Sequence, residues 1–160
     1  MNGQIILKTF EKLTEEEMEK AIEFIFSKEE QEYFSLDKEH EEEIDPDFYI
    51  FITDSCSDII GLVKIQKENN MIIINLDEEH ILDKVIELED FRIRTDLLHN
   101  DKEKIIKTLF NYDFDLFSRF DLKDYRYIGI CPELTKIAYF EEMIQSLKSD
   151  SLFCYKKINN

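Results

Sequence analysis

The sequence predicts an α/β (α+β) fold built on a mixed, largely antiparallel central sheet with helices on both faces. Three observations carry that expectation. Strand-like and helix-like segments follow one another in the order strand, two helices, three-strand meander, helix, strand, helix, strand, which one layered domain over residues 1–160 accommodates. The run Phe48–Thr53, FYIFIT, is apolar on both faces, as an internal strand requires. The helical segments place their apolar residues on one side only, so each needs a sheet to lie against.

Taken in order, Gln4–Phe10 reads as the first strand, with Ile5, Ile6 and Leu7 apolar. Thr14-Glu15-Glu16-Glu17 is a capping box, and Leu13 with Met18 forms the matching hydrophobic staple. Met18, Ala21, Ile22 and Ile25 then recur at helical spacing to about Phe26. Ser27-Lys28-Glu29-Glu30 predicts the cap of a second, short helix ending near Leu36. Asp37–Asp47 is a charged loop, closed by Pro46, which favours extended backbone at Asp45. Phe48–Thr53 and Ile59–Gln66 form a hairpin across the turn residues Asp54–Asp58. Asn69-Asn70 marks a further turn before a third strand, Met71–Leu76. Asp77–Lys84 is an acidic excursion with room for a helical turn, and Val85–Thr95 is extended again.

The stretch Phe91–Phe110 reads as a buried strand, a loop over Leu98–Glu103 and a helix starting near Asn100 or Asp101. Ile105, Ile106, Leu109, Phe110, Phe114 and Phe117 supply the buried face of that helix. Tyr125–Cys131 is a strand, a helix follows from Pro132 with Ile137, Phe140, Ile144 and Leu147 inward, and Ser151–Ile158 is the last strand.

Composition excludes several function classes. Hydrophobic residues make up 43% of the 160, enough for a real core. The formal net charge is −17, from 37 acidic and 20 basic residues, so phosphate backbones are repelled and direct nucleic-acid binding is not expected. That charge either solvates the surface or offers an acidic face to a basic protein partner. There is no apolar run long enough for a membrane span and no secretory signal. Cys56, Cys131 and Cys154 lack CxxC spacing and read as reduced thiols, which implies a cytoplasmic protein.

Several phrases carry a family resemblance. Phe48–Gln66, with Ile60-Gly61-Leu62-Val63 in its second strand, resembles the central hairpin of the GNAT N-acetyltransferase superfamily. Ile128–Phe140 followed by Glu141-Glu142 resembles that family's strand and "A-x-x-F-Y-E-K" helix, and Ser151–Ile158 resembles its last strand. The resemblance implies a GNAT-like fold, an acetyl-CoA cofactor and transfer of an acyl group to an amine. It also implies an open cleft between the meander and Tyr125–Cys131, with free backbone N–H groups near Asn100–Lys104.

The chain departs from the family where the cofactor would bind. The family's pyrophosphate loop is R/Q-x-x-G-x-G/A, whose glycines let backbone N–H groups approach the phosphates. Aligning Ile105–Phe110 with the helix after that loop puts Asp101 at the R/Q position and Lys104 and Ile106 at the two small positions. Asn100, Asp101, Lys102, Glu103 and Lys104 are then the cofactor-contacting residues, and two of them are carboxylates. A unit charge at about 4 Å is worth about 4 kcal/mol at an effective dielectric of ~20, enough to set affinity against a pyrophosphate. The family's thiolate-protonating tyrosine falls on Phe140 in the closest register, or on Tyr139 with a slip of one residue, which makes Tyr139 the candidate catalytic residue.

The expectation is therefore a divergent, non-catalytic GNAT-like protein without cofactor that binds a basic protein partner. Its acidic run, Glu39, Glu41, Glu42, Glu43, Asp45 and Asp47, supplies the partner-binding face, as in a small inhibitor or immunity-type factor. The alternative is an acetyl-CoA-dependent N-acetyltransferase with an atypical loop. His40 and His80 lie among carboxylates, which admits a metal enzyme, but no second ligand set stands at fixed spacing and no metal is expected. His99 stands at the loop as a possible base.

Overall fold

The computed structural model describes residues 4–27, 31–35, 45–75, 78–111, 121–131 and 153–158. In chain order these form β1 (Ile6–Thr9), α1 (Glu15–Phe26), β2 (Gln31–Tyr33), β3 (Tyr49–Thr53), β4 (Ile59–Asn75), β5 (Glu78–Arg94), α2 (His99–Phe110), β6 (Tyr127–Ile130) and β7 (Cys154–Lys157), with short 3₁₀ turns at Phe10–Lys12 and Pro46–Phe48. The described strands make one seven-stranded sheet in the order β1-β3-β4-β5-β6-β7, and β2 pairs with β5 off that path. Every pairing is antiparallel except β5 with β6. The fold is thus mixed α+β with a mostly antiparallel sheet. No helix among the described residues is long and apolar enough to cross a membrane.

The alternation of side chains along β3 decides where the helices go. Tyr49 and Phe51 face one side, where they pack with Ala21, Phe24 and Ile25 of α1 and with Leu62 of β4. Ile50 and Ile52 face the other, into the main core with Ile105, Ile106, Leu109 and Phe110 of α2. All five residues of β3 are buried, as an internal strand covered on both faces should be.

Helix α1 begins as its sequence dictates. Glu17 N–H donates to Thr14 Oγ1 at 3.2 Å, and the Glu17 carboxylate accepts from Thr14 N–H at 3.0 Å. That carboxylate is fully buried and also takes the Lys8 ammonium at 3.0 Å, tying α1 to β1. Burial pushes the Glu17 carboxyl up, but the Thr14 backbone N–H and Lys8 outweigh it and hold its pKa below the ordinary value.

Three expectations are corrected. The segment after Ser27 is not a second helix: Gln31–Tyr33 is extended and pairs with Arg92–Arg94 of β5. The capping chemistry at Ser27–Glu30 is local, whereas the strand is stabilised by a partner 61 residues away in sequence. Asn69-Asn70 is not a turn, because β4 runs unbroken from Ile59 to Asn75. Glu78–Lys84 is not helical but the first part of β5, held by the cross-strand pairs Met71–Leu82 and Ile72–Ile81. The expected helix from Pro132, with Tyr139, Phe140 and Leu147, lies outside the described residues, as do Phe114, Phe117 and Phe120.

Candidate functional site

None of the five candidate cofactor residues is in a loop. Helix α2 starts at His99, so Asn100, Asp101, Lys102, Glu103 and Lys104 make up its first turns. The backbone N–H groups of Asp101 and Lys102 donate to Leu98 O at 3.0 and 3.1 Å. Lys102 Nζ points away to Glu32 of β2, 2.6 Å from its carboxylate, and His99 Nε2 lies 3.4 Å from Glu103. Ile106, aligned with the family's second small position, is fully buried in the core. Asn100, Glu103 and Lys104 line a groove of about 460 Å³ with Lys107, Thr108 and Asn111 along the outer side of α2.

The other candidates scatter. Tyr139, His40, Glu39, Glu41, Glu42 and Glu43 lie outside the described residues. Asp45 and Asp47 sit at the 3₁₀ turn before β3, where the Asp45 carboxylate accepts from Asp47 N–H at 2.9 Å, and both are exposed beside Phe48. His80 Nε2 lies 3.9 Å from Glu78. Among the described residues no three His, Cys, Asp or Glu side chains converge as a metal site. Burial pushes the Cys154 thiol up to about 12, which leaves it protonated and inert at neutral pH.

The polar group that the structure singles out is one that periodicity does not reveal. Arg92, between Phe91 and Ile93 in β5, is 1% exposed. Its Nη1 donates to Ile25 O at 3.1 Å and to Gln31 Oε1 at 3.0 Å, and its Nη2 lies 3.2 Å from Asp90. The guanidinium sits 5.6 Å from the centre of the Tyr33 ring. Asp90 in turn accepts from Tyr49 OH at 2.8 Å. It occupies the left-handed region at φ 45°, next to a register shift between β4 and β5. An aspartate tolerates that conformation better than a bulky residue would. Gln31 completes the frame by donating its amide to Phe24 O, near the end of α1. In the sequence Arg92 stands between Phe91 and Ile93 with Arg94 beyond, an alternation that reads as a polar outer face, so no local signal marks it as buried.

This network fastens β2 across the edge of β5. On that edge β6 covers Val85–Leu88 and β2 covers Arg92–Arg94. Past β2, Phe34 N–H donates to Phe91 O at 2.7 Å, Phe91 N–H donates to Ser35 Oγ at 2.9 Å, and the Phe34 and Phe91 rings meet edge to face at 5.4 Å. The far end of the edge, where a cleft between the meander and the Tyr125–Cys131 strand was expected, holds Gln31–Ser35 instead.

A smaller hollow of about 220 Å³ lies beside it, lined by Lys20, Glu23, Phe24, Ser27, Gln31, Asp58, Ile59 and Arg94. Its cations are already engaged: Lys20 with Asp58 at 3.1 Å and Arg94 with Asp96 at 2.6 Å. The Arg94 hydrogen bonds hold the Asp96 carboxyl below its ordinary value. The region is built to hold backbone in place, with its charges spent internally. No family model matches this chain, and neither a characterised protein nor a solved structure does so.

Proposed function

We propose that this chain is a divergent GNAT-like domain that works by protein binding, using its acidic surface against a basic partner. The observation that carries the non-catalytic half is the occupied edge of β5. Gln31–Ser35 fill it with backbone pairing, and the Arg92 network holds them there. A cofactor would have to displace a hydrogen-bonded strand and strip partners from a buried guanidinium, which costs several kcal/mol, about 3–5 when one member of a buried pair is lost. The parallel pairing of β5 with β6 across α2, within an otherwise antiparallel sheet, supports the GNAT-like reading. The absence of glycine at the start of α2 and the burial of Ile106 support the loss of the pyrophosphate site.

The binding half rests on charge. At −17 the surface attracts basic proteins over a Debye length and repels nucleic acid. An inhibitor or immunity-type factor that occupies the basic surface of a nucleic-acid-binding protein fits that size and sign.

The alternative, an acetyl-CoA-dependent N-acetyltransferase, has the groove beside Asn100 and Lys104 in its favour. A thermal-shift titration separates the two. Binding to the native state alone must raise the melting temperature. The proposal expects no shift at millimolar acetyl-CoA, and a dose-dependent rise overturns it.

A further inference from the structure

The two long strands β4 and β5 extend beyond the rest of the described sheet. β3 pairs with β4 only as far as Lys64, and β6 pairs with β5 only from Val85 onward. The arm Asn70–Asn75 with Glu78–Asp83 is therefore a two-stranded ribbon among the described residues. A ribbon of that kind is marginal unless a face is covered. One face is covered: Ile73 and Leu82 pack with Phe153, Met71, Tyr127 and Tyr155.

The other face is open among the described residues. Ile72 and Ile81, directly paired across the strands, are 64% and 67% exposed, and Ile74 beside them is 48% exposed. Three isoleucines on one side of a narrow ribbon form a contiguous apolar patch, not scattered surface residues. Its rim is acidic. Glu79 lies opposite Ile74 on the same face, and Asp83, two residues past Ile81, shares that face with Arg126 3.4 Å away.

We infer that the Ile72–Ile74–Ile81 face of the β4–β5 arm docks a basic amphipathic segment of another protein, aliphatic side chains on the isoleucines and lysine or arginine on Glu79. Charge complementarity selects that occupant over a second copy of this chain. Two copies would each bring a net charge of −17 and set Glu79 against acidic neighbours. Apolar contact supplies affinity and the acidic rim supplies orientation and encounter rate. The inference rests on the protein-binding reading and names the surface that performs it.

The probe is a short labelled peptide of alternating leucine and lysine, with a lysine–serine peptide of equal length as control, read by fluorescence anisotropy at low salt. The wild-type protein should prefer the leucine–lysine peptide by about tenfold or more, since burying aliphatic side chains is worth that much. The variant Ile72→Thr/Ile81→Thr keeps β-branched residues at both positions and should lose the preference while still binding lysine–serine. Ile81→Thr alone, the milder change, should lose part of it. Unchanged preference in the double variant overturns the inference and leaves the acidic-surface reading intact. So does wild-type self-association, by sedimentation velocity, that the double variant abolishes. Failure of the wild type to bind either peptide overturns both the inference and the reading beneath it.

Discussion

The two ends of β5 break opposite rules. At Arg92–Arg94 the strand buries a charge and engages its Nη atoms, though among the described residues not Nε: β2 lies on its edge, Asp90, Gln31 and Ile25 O on the guanidinium, α1 across the face. At Glu78–Asp83 the same strand exposes large apolar side chains, with Ile81 67% accessible. A buried polar group and an exposed apolar patch are the two departures that carry information about a surface. The first says that this end is closed and fixed by internal bonds. The second says that the other end leaves apolar surface unburied, the surface on which the proposed docking rests.

Substitutions sharpen the contrast. Arg92→Ala should have the largest effect. It leaves Asp90, Gln31 and Ile25 O short of a donor in a buried site, a loss of about 3–5 kcal/mol measured by urea denaturation. Arg92→Met keeps the aliphatic stem and should recover part of that loss. A loss within about 0.5 kcal/mol for Arg92→Ala would mean that the network does not fasten this end. Ile72→Thr/Ile81→Thr should have the smallest effect, within about 0.5 kcal/mol, because exposed side chains away from packed features contribute little to folding. A loss above about 2 kcal/mol would mean that the isoleucines pack against the chain itself.

The elements that periodicity specifies are the ones the sequence makes legible. YIFIT lies internal in the sheet because both of its faces are apolar, while Phe48 stays exposed in the 3₁₀ turn before it, and α1 starts at its capping box because both hydrogen bonds are local. Ile105, Ile106, Leu109 and Phe110 line the buried side of α2, as their spacing requires. What stayed hidden is set by contacts between distant segments. Gln31–Tyr33 follows a helix-capping signal yet is extended, because β5 supplies an edge and Arg92 supplies a bond. Asn69-Asn70 reads as a turn yet continues β4, because β5 pairs along its length. The Asn100–Lys104 candidates were placed by alignment to a loop, and helix α2 already begins at His99. Arg92 stands within Phe91–Phe110, but nothing local says whether a strand arginine points to solvent or into the core.

The central claim is that the far edge of β5 is shut by Gln31–Ser35. Amide hydrogen exchange at Phe34 and Phe91, with and without millimolar acetyl-CoA, tests it most directly. Phe34 N–H donates to Phe91 O and Phe91 N–H to Ser35 Oγ, so each amide reports whether that segment stays on the edge. The account predicts slow exchange at both amides, near the rate set by global unfolding, and no change when acetyl-CoA is added. Exchange as fast as that of an exposed loop, or a change in exchange at either amide on adding acetyl-CoA, would contradict it.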